Sequence, residues 1–221
     1  MGSKKPFYYQ EYRQHVGAVI MLIATFVAFI LTTCGTPLGM LMIRSWNATP
    51  VPGEEAEVNP CYTLWGKHNN CAKPTYSMRI TDPPISTCDD IRIRFEAAEA
   101  FSVLAIFSLI GVLGAAWYKI CGSDIKLTVI LLSAFSIGCT TVPWAVVTAF
   151  YYTSFCGLEF LTHKETSLGA GYVLLIISFV VQIISLILFV FLEPDTSKKK
   201  SEVAGKAASP DACSSAGSAA H

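Results

Sequence analysis

Charge is scarce in this chain and absent from long stretches of it. Only 14% of the residues are Asp, Glu, Lys or Arg, against about 25% in an ordinary soluble domain. The formal net charge is zero, which removes any electrostatic case for a nucleic-acid partner. Motifs of enzyme chemistry are missing as well. None of the four histidines (His15, His68, His163, His221) falls in an H-E-x-x-H pattern, and no G-x-S-x-G occurs. Asp89 and Asp90 beside Cys88 read as solvated loop carboxylates rather than an acid–base pair. The chain therefore reads as non-enzymatic, with no catalytic, cofactor or metal residues expected.

Where charge is missing, apolar residues run on. Four stretches carry no charged residue: Val16 to Ile43, Ala100 to Tyr118, Leu127 to Leu158 and Thr166 to Leu192. A bilayer core about 30 Å thick needs about 20 apolar residues in a helix, and buried helices of soluble proteins rarely stay apolar on all sides for so long. The organisation expected is residues 1–15 as a cytoplasmic lead, 16–43 as the first transmembrane segment, 44–95 as an outer loop, 96–118 as the second segment, 119–126 as a cytoplasmic loop, 127–150 as the third, 151–167 as a second outer loop, 168–192 as the fourth, and 193–221 as a tail whose Ser, Ala, Gly and Lys content predicts disorder. The first apolar run is too long for the h-region of a cleaved leader and reads as a signal anchor. Pro6 stands where a myristoylation signal wants Ser or Thr. The apolar cores hold no ionisable group, which argues against ion-coupled transport. Ser133, Ser136, Thr140, Thr141 and Thr148 are the material for a polar path, if the chain were instead a carrier or channel for a small uncharged or lipidic solute.

Basic residues set the orientation. Lys4, Lys5, Arg13, Lys119, Lys126, Lys198, Lys199, Lys200 and Lys206 fall on one side, which places both termini in the cytoplasm. The long loop on the other side holds six basic and six acidic residues and is neutral. Thiols cluster on that side: Cys61, Cys71 and Cys88 in the first outer loop, Cys156 in the second. An oxidising compartment would pair them, and four cysteines allow three connectivities. Asn47-Ala48-Thr49 is an N-glycosylation sequon on the same side. Cys121 and Cys213 are candidate acylation sites with no compelling motif.

The outer loop has strand signals. Ile91, Ile93 and Phe95 alternate with Arg92 and Arg94, and the segments 76–81 and 62–65 have strand composition, the latter followed by turn-forming residues from Gly66 to Asn70. A small antiparallel sheet on a helix bundle is expected. About 50 residues bury little core alone, so a disulfide staple is physically expected. The fold class is thus an all-α membrane bundle of four helices with a small stapled sheet. Gly35-x-x-x-Gly39, with Pro37 inside it, reads as the loosened end of the first helix.

Within the outer loop, Cys61-Tyr62-Thr63-Leu64-Trp65-Gly66-Lys67-His68-Asn69-Asn70-Cys71 closely resembles the signature of the amastins, surface glycoproteins of trypanosomatid parasites. His68 stands where that signature usually has Lys, Arg or Gln. The resemblance rests on Cys61, Tyr62, Thr63, Leu64, Trp65, Gly66, Asn70 and Cys71, and the four-helix layout extends it over nearly the whole chain. It implies that Cys61 and Cys71 are a structural pair closing a hairpin in which Gly66 supplies a positive φ. A metal site on Cys61, His68 and Cys71 is the rival reading, with a spacing that fits no common zinc pattern. Cys88 and Cys156 are candidates for a second bridge. The resemblance further implies a multi-pass plasma-membrane protein at the host–parasite boundary. Its partners would be the bilayer, surface proteins, glycans or lipids of an apposed membrane, and copies of itself as a lateral homo-oligomer. The layout is also similar to that of claudins, through Trp46, Leu64, Trp65, Cys71 and Cys88.

Overall fold

The computed structural model describes residues 7–43, 60–71, 75–79, 82–83, 87–121, 125–156 and 166–192. Four helices dominate: α1 (Phe7–Gly35), α2 (Asp89–Ile120), α3 (Lys126–Tyr152) and α4 (Ala170–Leu192). All four are long and apolar enough to cross a membrane. Among the described residues there are also five short strands: β1 (Leu41–Ile43), β2 (Cys61–Tyr62), β3 (Gly66–His68), β4 (Met78–Arg79) and β5 (Thr166–Leu168). They form one antiparallel sheet in the order β4-β3-β2-β1-β5.

In a bilayer the helices cannot be driven together by hydrophobicity, because lipid tails are as apolar as leucine; close packing of small side chains and hydrogen bonds must do it. The buried positions show how. In α4 they are Gly171, Leu175, Ser178, Gln182, Ser185 and Phe189. In α1 they include Ala18, Met21, Thr25, Ala28 and Thr32. The steps alternate between three and four, the 3.5-residue period of a left-handed bundle. Many of these residues are Gly, Ala, Ser or Thr, so the backbones approach closely. The opposite faces carry Ile23, Phe107, Leu131, Phe135 and Phe191, all exposed, as lipid-facing surfaces require. Trp117 and Tyr118 are exposed at one end of α2 and Tyr152 at the opposite end of α3, where amphipathic rings match the two headgroup zones.

Helix α1 packs on α4 and α2, and α3 packs on α2 and α4, so α1 and α3 are diagonal. The sheet lies at the end where α1 and α3 finish and α2 and α4 begin. One apolar cluster joins it to the bundle: Leu41, Tyr62 and Leu64 from the sheet side meet Ile91 and Phe95 of α2, Phe150 of α3 and Leu175 of α4. The rings of Phe95 and Phe150 stack with centroids 4.6 Å apart.

Several sequence expectations need correction. The first helix ends at Gly35, where the glycine pattern predicts a loosened end, but the rest of the 16–43 segment is not helix: the chain turns so that Leu41–Ile43 become the interior strand β1, between β2 and β5. Residues 166–168, expected within the second outer loop and the start of the fourth helix, form β5 on the sheet edge. The alternating run at Ile91, Ile93 and Phe95 is not a strand. It lies in α2, which begins at Asp89, so Asp89 and Asp90 sit in its first turn rather than in a loop, where carboxylates suit the positive helix end. Ile91 is 1% exposed and Ile93 is 58% exposed, because Ile91, Phe95 and Ala98 share the bundle-facing stripe while Ile93 points away from it. Helix α1 begins at Phe7, so it reaches back into the lead, and its membrane-crossing part runs over Val16–Gly35. Asn47, Trp46, His163, Cys213 and the tail lysines lie outside the described residues.

Candidate functional site

The amastin-like segment is a disulfide-closed hairpin, built differently from the sequence expectation. The reversal is not at Gly66 to Asn70 but at Thr63 to Trp65, between β2 and β3. Thr63 makes this turn. Its backbone N–H and its hydroxyl both donate to the Gly66 carbonyl, at 2.9 and 3.1 Å, and its Oγ1 accepts from the Trp65 N–H at 3.1 Å. A short hydroxyl side chain is what such a turn needs. Leu64, at the tip, is fully buried. It plugs the cluster under the sheet, and Trp65 packs beside it, partly buried. The hairpin thus points its apolar tip into the bundle.

Gly66 follows with φ +152°, backbone that L side chains rarely adopt. A Cβ there would also overlap the Met78 carbonyl of the neighbouring strand. Glycine is therefore required twice over, by conformation and by the closeness of β4. His68 pairs opposite Cys61 on β2. It is buried, and its ring sits 4.1 Å from that of Tyr76. Lys67, which precedes it, accepts on its carbonyl from the N–H and hydroxyl of Ser77.

The structure joins Cys61 to Cys71 and Cys88 to Cys156. The first bridge closes the hairpin over a sequence separation of 10, the second ties loop to loop over 68. With the sulfurs of Cys61 and Cys71 bonded to each other, the thiolate pair a metal site would need is consumed. Among the described residues no group of three or more His, Cys, Asp or Glu is placed to hold a metal. The second bridge runs from Cys88, the residue before α2, to Cys156, just past α3. Beside it the Arg94 guanidinium lies 4.7 Å over the Phe155 ring, a cation–π contact that pins the same two segments. Asn70 is partly buried near the closing Cys71.

Two features of the site were not read from the sequence. The Cys61–Cys71 bridge rests on backbone: a Cβ added at Gly39 would sit 3.1 Å from both Cβ and Sγ of Cys61. The chain entering α4 is locked to the chain leaving α1. Gly169 N–H donates to the Met40 carbonyl at 2.8 Å and Gly171 N–H to the Gly39 carbonyl at 3.1 Å. Gly169-x-Gly171 ahead of an apolar run was the available signal, since paired glycines mark close backbone approach.

The hydroxyls that a solute path would need are engaged elsewhere. Ser133 donates to the Val129 carbonyl, Thr141 to Ile137 and Thr148 to Trp144. Thr148 also meets the Tyr172 hydroxyl at 3.0 Å. Ser136 donates to Gln182 Oε1 at 3.1 Å, and Thr140 bonds the Ser136 carbonyl at 2.7 Å.

The chain, then, has four apolar helices crowned by a five-stranded sheet and two disulfides, a claudin-like layout. A search of curated proteins returns no match. The family model for the amastin surface glycoprotein matches residues 26–189, from the later part of α1 through the sheet, α2 and α3 to near the end of α4. The chain belongs to the amastin surface glycoprotein family and is a multi-pass membrane protein of the cell surface.

Proposed function

We propose that the protein is a non-enzymatic surface protein whose stapled sheet is presented outward, with both termini in the cytoplasm, to engage proteins, glycans or lipids of an apposed membrane at the host–parasite boundary. The observation that carries this reading is the double anchorage of the sheet. The Cys61–Cys71 hairpin is clamped on the backbone at Gly39, and Cys88–Cys156 ties the bundle's loops together beneath it. A platform so fixed loses little conformational entropy when it binds, which favours recognition. The distribution of Lys and Arg supports the inside termini, and the redox setting of the disulfides supports the outward sheet. Asn47, carried by the same outer loop, is the proposed glycosylation position. Lateral association with further copies through the lipid-facing helices is compatible with this role. A carrier or channel would call for free polar groups along a path, whereas the helix 3 hydroxyls are bonded.

The test uses full-length protein reconstituted into dye-labelled liposomes. Retention on mammalian cells and on protein-free liposomes is compared with that of empty liposomes, before and after reduction. Retention that depends on the protein and disappears on reduction is expected. Retention no greater than that of empty liposomes on either target would contradict the reading, and protein-dependent swelling in an uncharged osmolyte would favour the carrier.

A further inference from the structure

At mid-bundle, Thr25 of α1, Ser133 and Ser136 of α3, and Gln182 and Ser185 of α4 line a cavity of ≈ 10 Å³, with Met21 of α1 and Leu109 and Val112 of α2 as its apolar lining. That is at the lower bound of what one water molecule occupies. The hydrogen bonds around the void are uneven. Gln182 Oε1 already accepts from Ser136 at 3.1 Å. Gln182 Nε2 donates one hydrogen to Ser178 Oγ at 3.3 Å, and an amide nitrogen has two. Thr25 is 2% exposed and lines the void, yet its hydroxyl takes no part in these bonds. The other hydroxyls have the opposite imbalance. Ser133 donates to the Val129 carbonyl at 2.7 Å and Ser185 to the Gln182 carbonyl at 2.9 Å. Their hydrogens are used, and only lone pairs remain.

We propose that this void is a binding site for one ordered water, which accepts from Thr25 Oγ1–H and Gln182 Nε2–H and donates to the oxygens of Ser133 and Ser185. The complement is two donors and two acceptors, the full valence of a water molecule. Without it, a hydroxyl and an amide hydrogen would be left unpaired at membrane depth, where no lipid group is able to satisfy them. The water also has an architectural consequence. Helices α1 and α3 are diagonal, and the water is the polar link from Thr25 across to Ser133. It completes a knot in which Thr32 and Ser178 already bond α1 to α4 at 2.7 Å.

The experiment is nuclear Overhauser spectroscopy between solvent and the Gln182 side-chain amide, on full-length protein with ¹⁵N-labelled glutamine in lipid nanodiscs. A water cross-peak at the Gln182 NH₂, of the sign that marks residence longer than nanoseconds, is expected. In Thr25→Val, which keeps the shape and removes the hydroxyl, that cross-peak should fall at least several-fold. In Thr25→Ser, which keeps the hydroxyl, it should persist. No cross-peak in the unsubstituted protein would overturn the proposal, since the void would then be dry. An undiminished cross-peak in Thr25→Val would overturn the assignment of Thr25 as a partner. The unsubstituted protein decides the first point even if a variant fails to fold.

Discussion

Gly169→Ala is expected to destabilise the protein by about 3 kcal/mol or more. The glycine lies where the chain passes from β5 into α4, and its N–H donates to the Met40 carbonyl. A Cβ would overlap the Gly39 carbonyl oxygen and stand 2.9 Å from its carbon. Backbone on both sides leaves nothing flexible to yield. Relief requires the start of α4 to move off the end of α1, and that would break the β1–β5 pairing that holds the edge strand β5 on the sheet. Gly171 is nearly as tight, since a Cβ there would stand 2.7 Å from the carbonyl oxygens of both Gly35 and Leu38. Gly138→Ala is the control. It sits within α3 with open space around it, and alanine there removes glycine's helix penalty of about 1 kcal/mol. Thermal unfolding of the purified full-length variants in one detergent separates the two. A large fall for Gly169→Ala beside little change or a small rise for Gly138→Ala is expected. Equal midpoints would show that the α1–α4 junction is not close-packed.

That junction also shows what a linear reading could reach. The four helices were legible because a span must exclude charge, and Asp, Glu, Lys and Arg are absent over long stretches. The sheet was less legible because three of its limits fall inside or beside those same stretches. Leu41–Ile43 lies in the same uncharged run as α1, so Gly35, Pro37 and Gly39 mark where the helix loosens but nothing in the run marks the residues after them as a strand. The contacts of Gly35 and Gly39, with α4 and with the Cys61–Cys71 bridge, show what those glycines make room for. Thr166–Leu168 has the same ambiguity ahead of α4. The run at Ile91, Ile93 and Phe95 has period 2 over five residues, but Ile91, Phe95 and Ala98 also fit a helical stripe. Burial of Ser102 and Ala105 farther along decides for the helix. In the signature hairpin the identities of the key residues were legible, while the position of the turn was not. Thr63 bonds that bend the chain two residues early depend on a hydroxyl meeting the Gly66 carbonyl, a contact that β-propensity does not encode.

Removing the two bridges should have effects of different reach. By loop-closure entropy, a link over 68 residues stabilises by about 4 kcal/mol and one over 10 by about 3 kcal/mol. Helices α2 and α3 are adjacent in the bundle and meet at the sheet end through Phe95 and Phe150, so part of the longer loop's entropy is already lost once they insert. The paired substitution Cys88→Ser with Cys156→Ser is therefore expected to lower the unfolding free energy by less than about 4 kcal/mol, seen as a lower thermal unfolding midpoint. The pair Cys61→Ser with Cys71→Ser acts more locally. Here β2 and β3 lose their staple and Leu64 its fixed entry into the core. Limited proteolysis should then cut within residues 61–79 at a rate raised at least tenfold, while far-UV circular dichroism keeps the signal of the four helices. Resistance equal to that of the unsubstituted protein would mean that the sheet holds itself without the bridge.

The central claim is that the Cys61–Cys71 hairpin is a disulfide-stapled element on the outer side of the membrane. Intact cells expressing the full-length protein would be treated with a membrane-impermeant thiol reagent, with and without prior reduction, alongside Cys61→Ser and Cys71→Ser. Labelling that appears at Cys61 and Cys71 only after reduction, and at the remaining partner without reduction in either single substitution, is the result this account predicts. Free labelling of both cysteines in unreduced cells, or no labelling from outside under any condition, would contradict it.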